Sequence, residues 1–314
     1  MAFSLKAIND AVRSDPRGFV EECDAAYNKK IENAARQIAE NRSRSRIVLL
    51  SGPSGSGKTT TAKKIEARLE KMGIRSHAVA MDDYFLTVDP EVAPRNREGQ
   101  IDYESPFCMD MELLNRHFAM LDRGEKIYVP RYEFARQMRS DTHSRPLQLG
   151  SDEIAIFEGI HALNDIITGR NPNALKLYIS ARSNVLDENG AMVFKGTWMR
   201  LARRTVRDAK FRSFGPEVTI KMWANVRRGE KLYISPFKED ADIRFDSALP
   251  YEVCAIKPFA QPVFEQMHLT PELERYDEIA HLVQAYPKFE ALDESYVAED
   301  ALIREFIGGG IYDD

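Results

Sequence analysis

The sequence predicts an α/β fold of the P-loop NTPase type: a parallel sheet flanked by helices, with a β-hairpin excursion, a helical lid and helical terminal extensions. Three observations predict it. The first is Gly52-Pro53-Ser54-Gly55-Ser56-Gly57-Lys58-Thr59, which fits the phosphate-cradling pattern G-x-x-x-x-G-K-[ST]. The second is its setting, with a short apolar run at 46–50 before it and helical periodicity over 58–72 after it. The third is the alternation that follows, apolar runs and amphipathic segments in turn, as a parallel sheet with crossover helices demands.

Each element has a local reason. Strands are expected at 46–50, 76–81, 153–158, 175–180 and 242–245, where apolar and β-branched residues cluster. Helices are expected at 58–72, 110–123, 197–211 and 216–229. Ile127-Tyr128-Val129-Pro130 and Tyr132-Glu133-Phe134 suggest the hairpin-like excursion, and Asp187-Glu188-Asn189-Gly190 marks a turn in an irregular stretch before the helix near Thr197. Upstream, Ser14-Asp15-Pro16 reads as a helix start. Phe19, Cys23, Tyr27, Ile31, Ala34 and Ile38 then recur at helical spacing, a packing face against the domain or a partner. Downstream, 271–284 reads as one more helix and Ile307-Gly308-Gly309-Gly310 as a flexible turn. Three segments result: an N-terminal helical extension (1–45), a P-loop kinase domain (46–258) and a C-terminal extension (259–314).

Composition narrows the class. The chain has 314 residues, of which 43% are hydrophobic and 30% charged, the balance of a soluble globular protein. A net charge of −5 argues against a nucleic-acid partner. Cys23, Cys108 and Cys254 show no metal-ligand spacing and read as thiols in a reducing compartment. No signal peptide and no run of membrane-spanning length is visible, so the expected location is cytoplasmic, with no membrane contact. A homo-oligomer is compatible with these features.

The chemistry is concentrated at the glycine loop and at two strand ends. Gly52, Ser54, Gly55, Ser56 and Gly57 would wrap a polyphosphate with inward backbone N–H groups, helped by Thr60 at the helix start. Lys58 would reach the β- and γ-phosphates, and the Thr59 hydroxyl would ligate Mg²⁺. In open α/β sheets the ligand lies beyond the carboxyl ends of the strands. Two acids stand there: Asp82, after the run 77–81, and Glu158, after the run 154–157. A P-loop kinase needs one carboxylate near the attacking hydroxyl and one near the metal, roles assigned to Asp82 and Glu158 respectively. ATP or GTP with Mg²⁺ is the implied cofactor set. On the helix at 197–211, Arg200, Arg203, Arg204 and Arg207 fall largely on one face. Arg204 and Arg207 are the candidates to neutralise a moving phosphoryl group.

With these blocks in place, the chain resembles the uridine kinase family, within the phosphoribulokinase/uridine kinase group. The resemblance runs over most of 46–250. It rests on the P-loop, Asp82-Asp83-Tyr84-Phe85, Ile101-Asp102-Tyr103-Glu104-Ser105-Pro106 with Asp110, Pro130-Arg131-Tyr132-Glu133-Phe134, Glu158-Gly159-Ile160, 200–208, 234–238 and 241–243. The resemblance implies that Asp82 faces a ribose 5′-hydroxyl and that Asp102 binds ribose hydroxyls. It implies that Tyr132 and Phe134 line a base pocket, and that Arg139 follows it. Gln137 stands where the family's base-reading His is found, and Phe85 where Tyr is common. The implied activity is ATP-dependent phosphoryl transfer to the 5′-hydroxyl of a nucleoside, uridine or cytidine first. The other readings are a kinase of another small hydroxylic metabolite, such as a sugar phosphate, and a non-catalytic nucleotide-binding regulator.

Overall fold

A computed structural model of the chain describes residues 2–212, 214–267 and 276–312. It begins with a short strand β1 (Ala2–Ser4), then helices α1 (Leu5–Ser14) and α2 (Pro16–Asn41). Asp15 caps α2 by accepting from the Gly18 amide, with Pro16 in the first turn, as the sequence expects. The stripe Cys23, Tyr27, Ile31, Ala34 and Ile38 is buried, and α2 lies along the helix that follows the P-loop.

The central sheet holds β2 (Ile47–Ser51), β3 (Arg75–Ala80), β6 (Glu153–Glu158), β7 (Leu175–Ser180) and β10 (Ile243–Asp246), all parallel, in the order β10-β7-β2-β6-β3. All five residues of β2 are buried because helices cover both faces. Val48 and Leu50 join one apolar core while Ile47 and Leu49 join the other, the period-2 alternation of a strand. In register, Glu158 stands opposite both Leu50 and Ala80. The strands therefore end level, and their carboxyl ends deliver the P-loop, Asp82 and Glu158 to one crevice. Helices α3 (Lys58–Lys71), α4 (Met111–Asp122) and the short α5 (Asp165–Thr168) make the crossovers, and the hairpin β4 (Ile127–Glu133) with β5 (Met138–Leu147) extends beside the crevice.

The stretch after β7, over 181–195, is more ordered than its sequence suggests. Strands β8 (Asn184–Leu186) and β9 (Met192–Phe194) form a hairpin around the turn at Asp187–Gly190, and β1 adds to it in parallel. Helices α6 (Gly196–Phe211) and α7 (Pro216–Gly229) follow; a π-helical turn over Glu230–Ile234 continues α7.

Helix α8 (Glu252–Glu265) is absent from the sequence expectations because Pro258 and Pro262 lie inside it. Both prolines face solvent, where water can serve the freed carbonyls, so the helix tolerates them. The helix expected over 271–284 is seen as α9 (Tyr276–Ala285); its expected start lies outside the described residues. Gly308 and Gly309 adopt φ of 85° and 73° after α10 (Arg304–Ile307). This ending is a packed turn, with Ile307 buried, rather than a free one. One core cluster draws residues from α2, the sheet, α6, α8 and the 297–307 segment. All three cysteines are free thiols. No helix among the described residues is long and apolar enough to cross a membrane.

Candidate active site

The P-loop is shaped by glycine geometry and held from behind. Gly55 and Gly57 have φ of 73° and 79°, a region costly for other residues. The Ser54 carbonyl accepts from Arg200 Nη1 at 3.2 Å, the Gly55 carbonyl from Arg203 Nη1 at 3.0 Å, and the Ser56 carbonyl from Ser247 Oγ at 2.6 Å. With its carbonyls engaged by side chains, the loop turns its amides the other way. The Gly55, Gly57, Lys58 and Thr59 N–H groups donate to no protein acceptor among the described residues. They are free for an anion at the start of α3. The Ser56 hydroxyl is buried with no partner among the described residues, and Ser54 Oγ accepts from Arg204 Nη1 at 2.9 Å. Half-buried Lys58 curls back toward the Pro53 carbonyl at 3.5 Å, too long to hold it firmly. Thr60 differs from its neighbours: its N–H and hydroxyl both donate to Glu305, at 3.1 and 2.6 Å.

Lys58, Asp82 and Glu158 lie within electrostatic reach of one another. Asp82 sits in a 3₁₀ turn (Met81–Tyr84) directly after β3. One edge of it is open to solvent, yet the crevice walls desolvate its carboxyl and raise the pKa, opposed by Lys58 and Arg212 and reinforced by Asp83. Glu158 is deeper. Desolvation pushes it up to about 7; Lys58 lowers it, Asp82 and Glu305 raise it, and a hydrogen bond from Thr59 lowers it. Its Oε2 is buried without a partner among the described residues. An orphaned carboxylate oxygen beside a threonine hydroxyl suits a hard divalent cation, so Thr59 and Glu158 fit Mg²⁺ by chemistry. Gly159 next to Glu158 has no room for a side chain: a Cβ there would lie 2.7 Å from Met81 Cβ.

The arginines of α6 divide into two groups. Arg200 and Arg203 are buried and each is locked to an acid, Glu230 and Glu252 respectively, while also gripping the P-loop. They are structural props. Arg204 lies 3.3 Å from the Asp208 carboxylate, Arg207 donates to it at 2.8 Å, and Arg212 approaches at 3.8 Å. Three guanidinium groups share one carboxylate, leaving surplus positive charge beside the P-loop. Among these three, Arg212 is the one that acts on Asp82.

A cavity of about 310 Å³ opens between the hairpin and the loop at 86–103, its lining starting at Phe85, three residues after Asp82. Phe85, Tyr132 and Phe134 form its aromatic wall, with ring centroids 5.0 to 6.3 Å apart and steeply tilted planes. Gln137 also lines it and has φ of 51°, a left-handed conformation unusual outside glycine. Tyr132, Phe134 and Gln137 are thus brought together, as the sequence suggests. Arg139 is not among the lining residues. It donates to Asp110 at 3.0 Å and to the Tyr84 carbonyl at 3.1 Å, clamping β5 to the start of α4.

Asp102, expected from the resemblance to bind ribose hydroxyls, is engaged here by protein donors. Its Oδ1 accepts from Arg228 Nη2 (2.6 Å) and the Glu104 amide (3.2 Å), and its Oδ2 from Arg228 Nη1 and the Tyr233 hydroxyl, both 3.1 Å. Four donors fill the lone-pair directions of the carboxylate. Burial alone would raise Asp102, but the bonds from Arg228 and Tyr233 hold it below its ordinary value. The acid left facing the centre is Glu104. Desolvation raises its pKa, Arg204 and Arg228 lower it, and Asp102 and Asp82 raise it. It presses against Gly229, where a Cβ would come within 2.3 Å of Glu104 Cβ. Neither Glu104 nor Arg212 is singled out by its local sequence. Two acids two residues apart in one loop carry no local sign of which turns inward.

A sequence profile of the Phosphoribulokinase / Uridine kinase family matches residues 47–253. A uridine kinase of Staphylococcus aureus (strain JH9) is 29% identical over 200 residues, 63% of this chain and 85% of the relative. A uridine kinase of Ureaplasma urealyticum is 26% identical over 198 residues, 63% of this chain and 86% of the relative. Among solved structures, D-glycerate 3-kinase from Cryptococcus neoformans aligns over 65% of this chain and 88% of its own, with 16% identity and a TM-score of 0.44. By the family match over most of its length, with the P-loop and strand-end acids inside the matched span, the chain belongs to the phosphoribulokinase/uridine kinase family of phosphotransferases.

Proposed function

We propose that the chain transfers the terminal phosphoryl group of ATP to the 5′-hydroxyl of a nucleoside, uridine or cytidine. The observation that carries this reading is the convergence of Lys58, Asp82 and Glu158, with an aromatic-walled cavity that starts three residues after Asp82 in the chain. The free loop amides and Lys58 hold the polyphosphate. Thr59 and Glu158 would hold Mg²⁺, whose charge would offset that of the polyphosphate. Asp82 accepts the hydroxyl proton and sets the angle of attack. Arg204, Arg207 and Arg212 offset the charge on the group in transit. Tyr132 and Phe134 stack on or clamp the base, with the Gln137 amide offering both a donor and an acceptor to its edge. Glu104 takes the ribose hydroxyls, and Asp102 fixes the loop that carries it through Arg228.

The cavity favours a nucleoside over a sugar phosphate. Its lining includes Asp89 but no Lys or Arg, so a second phosphate would meet no counter-charge there. ADP release measured against a panel of nucleosides and sugar phosphates tests this. Stimulation by a pyrimidine nucleoside is expected. Stimulation confined to a sugar phosphate or another alcohol would replace the acceptor, and no stimulation by any alcohol would favour the regulatory reading.

A further inference from the structure

The C-terminal segment lies on the phosphate loop. Leu302 packs against Gly57 so closely that a Cβ on the glycine would lie 2.4 Å from Leu302 Cδ1. Phe306 is buried beneath the Arg203 guanidinium, 5.1 Å from its ring centroid. Asp300 pairs with buried Lys64 of α3 at 2.6 Å, and Lys63 donates to the Tyr312 carbonyl at 2.7 Å. Lys210, on α6, holds the Ile307 carbonyl at 2.5 Å. These anchors carry Glu305 to the first turn of α3, where Oε2 takes both the N–H and the hydroxyl of Thr60.

That turn is where a polyphosphate on the loop must find its donors. Each amide in a helix's first turn points in one direction, along the axis and outward. An acceptor already placed on it excludes any other. Glu305 is an anion in an anion site, and its charge also reaches Glu158 and Arg203. The loop amides of Gly55, Gly57, Lys58 and Thr59 remain free, so the obstruction is confined to one end of the loop.

We propose that Glu305 is a built-in competitor for the phosphate nearest the nucleoside, and that nucleotide binding requires its carboxylate to leave Thr60. The inference rests on nucleotide binding at the P-loop. Leu302, Ile303, Phe306 and Ile307 are buried, so the segment stays docked and the Glu305 side chain is what moves. The competitor sets nucleotide affinity low, and anything that draws the Glu305 carboxylate from Thr60 raises it.

Calorimetric titration of ATP, ADP and adenosine into wild type, Glu305→Ala and Glu305→Gln tests the proposal, with melting curves of each protein. Glu305→Ala is expected to bind ATP and ADP about tenfold more tightly, the order set by one charge-assisted contact. Glu305→Gln keeps the shape without the charge and should fall between. Adenosine, lacking phosphates, should bind all three alike. Unchanged or weaker ATP binding by folded Glu305→Ala or Glu305→Gln overturns the proposal. Nucleotide binding by neither wild type nor Glu305→Ala overturns the P-loop reading, and the proposal with it.

Discussion

Arg203 of α6 donates to the Gly55 carbonyl at 3.0 Å while its other nitrogens clasp buried Glu252. The root of the arginine helix and the phosphate loop are therefore one piece. Arg207 and Arg212 lie further along that helix, beside Asp208. Losing the guanidinium would strand Glu252 and release the loop carbonyl. Arg203→Ala should destabilise the fold by about 3–5 kcal/mol, the cost of breaking a buried pair. Urea denaturation reads this directly. A loss below about 1 kcal/mol, the range of exposed pairs, would mean that Arg203 does not hold the loop.

Glu158 gives a pH signature. Its folded pKa of about 7 lies above the ordinary 4.5, so the folded chain binds this proton before the unfolded chain does. The stability of the ligand-free protein then falls as pH rises through 7, and is regained as pH drops toward 4.5. The slope from this one group approaches about 1.4 kcal/mol per pH unit at its steepest. Glu158→Gln should remove that part of the slope and be the more stable protein at pH 8. Denaturation of both proteins between pH 5 and 8 checks it. Parallel curves would show that Glu158 is not the group titrating.

Glu104 and Gly229 touch so closely that Gly229→Ala must push the carboxylate away. With the acid displaced by even an ångström, the acceptor KM should rise about ten- to a hundredfold, with little change in the ATP KM. An equal rise in both would place Glu104 at the nucleotide instead. Asp102→Asn, by contrast, loosens the loop through Arg228, and its effect should appear in thermal stability as well as in acceptor KM.

Arg212 is the lid arginine that Asp82 senses. Arg212→Ala should lower kcat about a hundredfold, the usual cost of one transition-state donor, and leave both KM values near wild type. A change in KM alone would make it a binding residue.

Much of this architecture is legible in the chain, because its signals are local. A glycine pattern between a strand and a helix, and acids just past apolar runs, need only neighbouring residues to be recognised. What escaped depends on distant partners. Asp102 is held by Arg228, 126 residues away, and Thr60 is covered by Glu305, 245 residues away. Strands β8 and β9 are three residues each, too short for an alternating pattern to register. Helix α8 hides behind two prolines whose penalty is relieved by solvent.

Phosphoryl transfer in this chain depends on Asp82 acting on a hydroxyl held opposite the phosphate loop. Single-turnover transfer from ATP to the stimulating acceptor, at saturating concentrations of both, compares wild type with Asp82→Asn most directly. The account predicts a rate lower by about 10²–10⁴-fold with both ligands still bound. Transfer at the wild-type rate by Asp82→Asn would contradict it.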